Sequence, residues 1–188
     1  MKLQTLCAAA TILASTAAAA IPTTQYSPIT RNGFYADFAL GYGHTSSLQG
    51  VDSGEGFAMN LSGGYQFSPY LAGELNLNAI YADIEDTDIT LNTVGFLLKG
   101  MMPLNKETGL FVKGGFALAN ASNKVGNTEY VTKTAVVPMF GGGIQYFIND
   151  NLSVKYETLY SSKNSPRYPA NLSILMGISY KFNEIQTL

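Results

Sequence analysis

The chain has 188 residues, 46% of them hydrophobic and only 13% charged, with a net charge of −2. Twelve Tyr, ten Phe and 19 Gly with no Trp describe neither a disordered polymer nor an ordinary soluble enzyme. No Lys/Arg cluster occurs, which removes the electrostatic footprint that nucleic-acid binding requires.

The N-terminus opens with Lys2, runs through an apolar, alanine-rich stretch from Leu6 to Leu13, and reaches small residues at Ala17 to Ala20 before Ile21 and Pro22. This pattern predicts a cleaved secretory signal over residues 1–20, with cleavage after Ala20 or a residue or two earlier. Residues 21–32 then form a short periplasmic segment. The single cysteine, Cys7, lies within the signal, so the mature chain is expected to form no disulfide and to use no thiol chemistry. Cys7 also precedes most of the apolar stretch, which argues against an acylated-cysteine anchor. Beyond residue 20 no apolar run approaches 18 residues, so no transmembrane helix is predicted. An exported chain this hydrophobic needs another place for its apolar surface.

A period of two supplies that place. In the first segment, Gly33 to Gly43, residues Phe34, Ala36, Phe38, Leu40 and Tyr42 share one face, with Tyr35, Asp37, Ala39 and Gly41 on the other. The second sets Phe57, Met59, Leu61, Gly63, Tyr65 and Phe67 against Ala58, Asn60, Ser62, Gly64 and Gln66, and the third sets Leu71, Leu75, Leu77 and Tyr81 against Glu74, Asn76 and Asn78. In the fourth, Val94, Phe96, Leu98 and Met102 oppose Thr93 and Lys99; in the fifth, Leu110, Val112, Phe116 and Leu118 oppose Lys113. The sixth, Val136 to Phe147, is weaker, with Pro138, Phe140, Ile144 and Tyr146 against Gly141, Gly143 and Gln145. The seventh opposes Leu152, Val154, Tyr156 and Tyr160 to Ser153, Lys155 and Glu157. The eighth opposes Leu172, Ile174, Met176, Ile178, Tyr180 and Phe182 to Ser173, Ser179 and Lys181.

Every charge within these segments falls on the non-aromatic face: Asp37, Glu74, Lys99, Lys113, Lys155, Glu157 and Lys181. A soluble sandwich also alternates, but turns its apolar face inward. Two features argue for the inverted, membrane arrangement. Aromatics gather at segment ends, with Tyr42, Phe57, Tyr81 and Tyr160 at one rim and Phe34, Phe67, Tyr146 and Phe182 at the other, as girdles would. Connections also alternate, with tight turns at Ser68-Pro69, Pro103 to Thr108 and Asn149-Asp150, and longer polar links at 44–55, 82–88, 121–134 and 161–170. Unpaired strand edges in hydrocarbon cost a few kcal/mol per backbone group, which favours closure. The expectation is an all-β, eight-stranded, antiparallel up-and-down transmembrane β-barrel over 33–182, with both termini periplasmic and a short tail at 183–188.

So patterned, the chain resembles the small outer-membrane barrels of the OmpA/OmpX and opacity-protein type. Its last strand, Leu175-Met176-Gly177-Ile178-Ser179-Tyr180-Lys181-Phe182, is similar to the C-terminal signal read by the barrel-assembly machinery: Gly177, then the aromatics Tyr180 and Phe182 three and five residues later. In many family members the final aromatic ends the chain, whereas here Asn183 to Leu188 follow. The resemblance implies the outer membrane of a Gram-negative bacterium, with outer-membrane lipid, lipopolysaccharide and the assembly machinery as partners. No peptidoglycan-binding domain follows the barrel, so anchoring to the cell wall is not implied.

Asp37, Glu74, Lys99, Lys113, Lys155 and Glu157 fall three to five residues from the periplasmic ends of their strands, and so into one lumen layer. A gated ion path or proton relay is one reading; a paired polar plug is the preferred one, because eight strands leave room only for side chains. His44, the only histidine, precedes Ser46 and Glu55, and faintly resembles the His, Ser and acid set of outer-membrane lipid A deacylases. A solvated loop histidine is the expected reading. Asp83, Asp86 and Asp88 with one His make a poor transition-metal set and read as a solvated acidic loop, weak calcium binding being the alternative. Gly141-Gly142-Gly143 is no phosphate loop: it lies in a strand, lacks a following Lys-Ser/Thr and opens no helix. These glycines are expected to let the wall bend or large neighbours pack. No cofactor, metal or catalytic residue is predicted. The expected function is a structural or surface-interaction role, adhesion or ligand contact through loops 44–55, 82–88, 121–134 and 161–170. A narrow pore and a lipid-modifying enzyme are the alternatives.

Overall fold

The structure is a computed structural model that describes residues 32–47, 53–84, 87–125, 128–131, 134–164 and 168–182. Its strands are β1 (Gly33–Thr45), β2 (Gly54–Ser68), β3 (Leu71–Ile84), β4 (Thr87–Pro103), β5 (Thr108–Val125), β6 (Thr128–Val131), β7 (Ala135–Phe147), β8 (Leu152–Ser161) and β9 (Asn171–Lys181). Eight of them form the wall. Neighbours in sequence pair antiparallel, β1 pairs with β9, and β4 with β5, so the sheet closes on itself. The short β6 pairs only with the end of β5, at Ser122 to Val125, beyond the segment that pairs with β7.

The register fixes the shape of the barrel. From Tyr35 the pairing runs through Gly64, Glu74, Leu97, Gly115, Met139, Ser161 and Asn171, and returns to β1 at Thr45, ten residues further on. Such a stagger over eight strands tilts them by about 40° and leaves an interior that side chains alone can fill.

Three tight turns join strands at the end of the barrel that carries Gly33 and Lys181. Asn105 Oδ1 accepts the N–H groups of Glu107 and Thr108 at 2.8 and 2.7 Å. Asn149 Oδ1 does the same for Asn151 and Leu152 at 2.9 and 2.8 Å. A short Asn side chain thereby substitutes for a turn's backbone acceptor. In the third, Ser68 Oγ accepts Tyr70 N–H, beside a register shift between Gln66 and Ser68.

At the opposite end two expectations are corrected. The link 82–88 is no open loop, since β3 continues to Ile84 and β4 begins at Thr87, with Asp83 paired to Asp88. Most of 121–134 is likewise strand, in the β5–β6 pair. A backbone ladder needs no apolar residues where it has no membrane to face, so Thr, Asn, Asp and Ser can extend it without the alternation that marks the wall. The links 44–55 and 161–170 do lie mostly between strands, although His44 belongs to β1 rather than to a loop.

The outer face of the wall is apolar: Leu75 is 62% exposed, Phe116 67% and Met176 69%. At the outer rim Tyr42 stands opposite Phe57, and Phe57 opposite Tyr81, an unbroken aromatic row across three strands. At the periplasmic rim Phe34, Tyr65 and Phe67 stack in sequence at 4.9 and 5.4 Å between ring centres, and Tyr180 meets Phe182 at 5.3 Å. Water is a poor solvent for such a surface and hydrocarbon a good one, so the inside-out alternation identifies a membrane wall.

Candidate functional site

Among the described residues, buried side chains line the lumen through both of its halves, which differ in chemistry. In the periplasmic half, Glu74, Lys113, Glu157, Lys155 and Asp37 form one chain of alternating charge. Lys113 Nζ lies 2.7 Å from Glu74 Oε1 and 2.7 Å from Glu157 Oε1; Lys155 Nζ lies 2.9 Å from Glu157 Oε2 and 2.7 Å from Asp37 Oδ2. All five side chains are sealed from solvent. Neutral groups add to the shell: the Tyr35 hydroxyl donates to Glu74 Oε2 at 3.2 Å, Asn76 Nδ2 donates to Glu74 Oε1 at 3.3 Å, and Ser62 Oγ donates to Asp37 Oδ2 at 3.4 Å.

Local sequence makes room for this chain. Each charged residue stands in register beside a small one: Asp37 by Ser62 and Ser179, Glu74 by Gly64, Lys113 by Gly141, Glu157 by Gly143, and Lys155 by Gly177. A Cβ on Gly64 would lie 2.6 Å from the Tyr35 hydroxyl, and one on Gly143 would lie 2.9 Å from the Phe111 ring. Those glycines are therefore spaces into which long side chains fold.

Lys99, placed by the sequence pattern in the same layer, stands apart. Among the described residues it reaches no carboxylate within ion-pair distance; it donates to Gln145 Oε1 at 3.3 Å and lies 4.5 Å above the Phe111 ring and 5.2 Å above that of Tyr35. Aromatic faces stabilise such an ammonium in place of a carboxylate.

The outer half is apolar. Ile80, Leu91, Leu97, Val137, Met139, Leu159 and Leu175 pack with alanines of the neighbouring strands into one buried cluster. Tyr168, 1% exposed, belongs to the same cluster although it comes from the β8–β9 link. That link is strapped down at several points. Asn164 and Tyr168 exchange backbone hydrogen bonds at 2.9 and 2.8 Å, Ser162 N–H donates to Pro138 O at 3.0 Å, and Ser46 N–H donates to Ala170 O at 2.8 Å. The Ser46 hydroxyl oxygen accepts Ala170 N–H at 3.0 Å.

The polar-plug reading of the sequence missed this half altogether. Leu97 sits in the run Phe96-Leu97-Leu98, where three consecutive apolar residues hide the alternation, and Tyr168 lies in a polar link with no periodicity. A large apolar residue at an inward position of a strand is the signal that would have found Leu97, Leu159 and Leu175.

The other singled-out residues do not converge. His44 Nδ1 lies 3.7 Å from Glu55 Oε1, directly across the β1–β2 pair, with both side chains well exposed. Ser46, by contrast, is occupied in holding the strap, so no His–Ser–acid relay is assembled. Asp86 lies outside the described residues. Gly177 stands opposite both Lys155 and Ala39, and Tyr180 and Phe182 are exposed on the periplasmic rim. The signal segment 1–20, residues 21–31 and the tail 183–188 lie outside the described residues.

A closed antiparallel barrel with an apolar, aromatic-rimmed outer face and a filled interior is an integral protein of the outer membrane of a Gram-negative bacterium. The chain belongs to the outer membrane protein beta-barrel domain family, whose profile matches residues 5–186. Nothing among curated proteins matches it. Among solved structures it is similar to Neisserial surface protein A, with TM-score 0.69 and 20% identity over 80% of this chain and 97% of that one. It is also similar to the N-terminal barrel of Pseudomonas aeruginosa OprF, with TM-score 0.61 and 13% identity over 81% and 100%. A third likeness is to Ail, the attachment invasion locus protein of Yersinia pestis, with TM-score 0.54 and 16% identity over 80% and 99%. Ail has also been solved in complex with the heparin analogue sucrose octasulfate. At these identities the likeness establishes a shared fold.

Proposed function

We infer that this barrel is a surface-interaction protein that conducts nothing through its lumen and works through its external links. The observation that carries the reading is the filled interior. Among the described residues the ion-pair chain occupies one half and the apolar cluster with Tyr168 the other, which supports a lumen closed to ions and solutes. What remains available to a ligand is the outer end. Charge is divided there: the β1–β2 and β3–β4 links, 44–55 and 82–88, carry Asp52, Glu55, Asp83, Glu85, Asp86 and Asp88. The links 121–134 and 161–170 carry Lys124, Lys133, Lys163 and Arg167 with Glu129 as the one acid. Strand order places the acidic links on one side of the barrel and the basic links on the other.

A sulfated glycan is the first ligand to try, because the basic links suit a polyanion and Ail of similar fold was solved with a heparin analogue. The test is a binding screen on cells displaying the protein with each link exchanged in turn. Loss of glycan or host-cell binding on exchange of 121–134 or 161–170, with exchange of 44–55 or 82–88 tolerated, supports the reading. Full binding by all four exchanged variants contradicts it. Export through a cleaved signal over 1–20 and assembly through Gly177, Tyr180 and Phe182 belong to the same proposal. N-terminal sequencing of the mature protein and the yield of folded Phe182→Ala test those two parts.

A further inference from the structure

The two basic links differ in how they are held. Among the described strands β6 pairs with β5 alone. The β8–β9 link, by contrast, is tied to β7, β8, β9 and the end of β1. Ser162 N–H donates to Pro138 O at 3.0 Å, and Asn164 Nδ2 donates to Val136 O at 3.1 Å, both on β7. Ser46, next after the last residue of β1, holds Ala170 through its N–H and its hydroxyl oxygen. Between these ties Asn164 and Tyr168 exchange backbone hydrogen bonds. Tyr168 is the deepest anchor: its ring is buried in the apolar cluster, and its phenol oxygen meets the side chains of Ser161 and Asn171, the last residue of β8 and the first of β9. A backbone fixed in advance loses less conformational entropy when a ligand arrives. Lys163, which is exposed, directly precedes Asn164, so the 164–168 pair fixes the backbone that carries its ammonium. Its Nζ lies 3.4 Å from Ser47 O, a neutral acceptor at the limit of a hydrogen bond. An anionic oxygen makes a shorter, stronger, charge-assisted bond.

We propose that the 161–170 link is the barrel's principal site for a sulfated glycan, and that Tyr168 is its positioning residue, holding Lys163 ready for a sulfate. This rests on the surface-interaction role and narrows it from two basic links to one. Tyr168 does not touch the ligand; it acts through the backbone it anchors.

The test measures heparin binding to the folded full barrel in liposomes over a range of salt concentrations. Tyr168→Ala is expected to weaken binding about tenfold, and Tyr168→Phe to bind within about twofold of the unaltered protein, because the ring alone fills the cluster. The two residues differ in their salt response. Each ionic contact adds to the slope of log affinity against log salt, so Lys163→Gln should flatten that slope while Tyr168→Ala leaves it unchanged. Ser46→Ala removes the side-chain acceptor of Ala170 N–H, lies outside the apolar cluster, and is expected to weaken binding several-fold. It carries the test where Tyr168→Ala does not fold. If exchange of 161–170 abolishes binding while Tyr168→Ala and Ser46→Ala bind as the unaltered protein does, the positioning role is overturned and the surface-interaction role stands. Undiminished binding after exchange of 161–170 overturns the choice of link. No heparin binding by the unaltered barrel overturns the sulfated glycan and the positioning role together.

Discussion

In the periplasmic half of the lumen five alternating charges tie β1, β3, β5 and β8 together, whereas in the outer half Leu97, Met139, Leu159, Leu175 and Tyr168 fill the same width with hydrocarbon and one phenol. The side chains of both halves are buried, but the halves differ in what they tolerate. An ion-pair chain works only in one register, because any slip leaves a carboxylate or ammonium unpaired in a low-dielectric interior. An apolar cluster accepts substitutions that conserve volume. The charged half therefore specifies which strand sits where, and the apolar half supplies cohesion less selectively.

This contrast orders the expected effects. Lys113→Met strands Glu74 and Glu157 together without their shared cation, and should cost about 3–5 kcal/mol, measured by urea unfolding in bilayers. Leu75→Arg, at mid-wall opposite Gly63 and Phe96, should cost about 2–4 kcal/mol, while Phe34→Arg at the rim costs about 0–1 kcal/mol. Equal costs at the two depths would show that the wall does not span a bilayer as described. Leu159→Met, which keeps volume within the outer cluster, should cost under about 1.5 kcal/mol. Should it cost more than Lys113→Met, the assignment of selectivity to the charged half fails.

The smallest effect concerns Tyr168. Burial pushes its phenol up to about 12 from the usual 10.0, against lowering hydrogen bonds from Ser161 and Asn171. A raised value means that the neutral phenol stabilises the fold in full below pH 10, and that this contribution is lost as pH rises through about 12. An ultraviolet titration of Tyr168→Phe should lose one of the tyrosines that ionise late in the unaltered protein.

Much of this architecture can be read before any coordinates, because a membrane wall imposes one rule on every strand. Phe34, Leu40, Leu61, Leu75, Phe116 and Met176 are exposed on the outer face where period two puts them, and Glu74 and Lys155 are interior. The rule lapses where its cause does. Inside the barrel, polar and apolar residues are equally acceptable if the space is filled, so Leu97 and Leu159 are marked only by being large and apolar at inward positions of the alternation. The backbone ladder past the aromatic rim needs no apolar residues, so Asp83 and Asp88 extend a strand pair that reads as a loop. Tyr168 is invisible for a third reason: its burial goes with long-range backbone hydrogen bonds of the β8–β9 link, from Ser162 to Pro138 and from Ser46 to Ala170, which have no local signature.

The filled lumen is tested most directly by conductance in planar bilayers, with the unaltered protein beside Tyr168→Ala. Removing the phenol opens the outer half alone, and the ion-pair chain below it still closes the path. Neither protein should therefore show unitary current above the bare-membrane baseline. Steady single-channel steps from the unaltered barrel would contradict the sealed interior and transfer the functional assignment from the external links to the lumen.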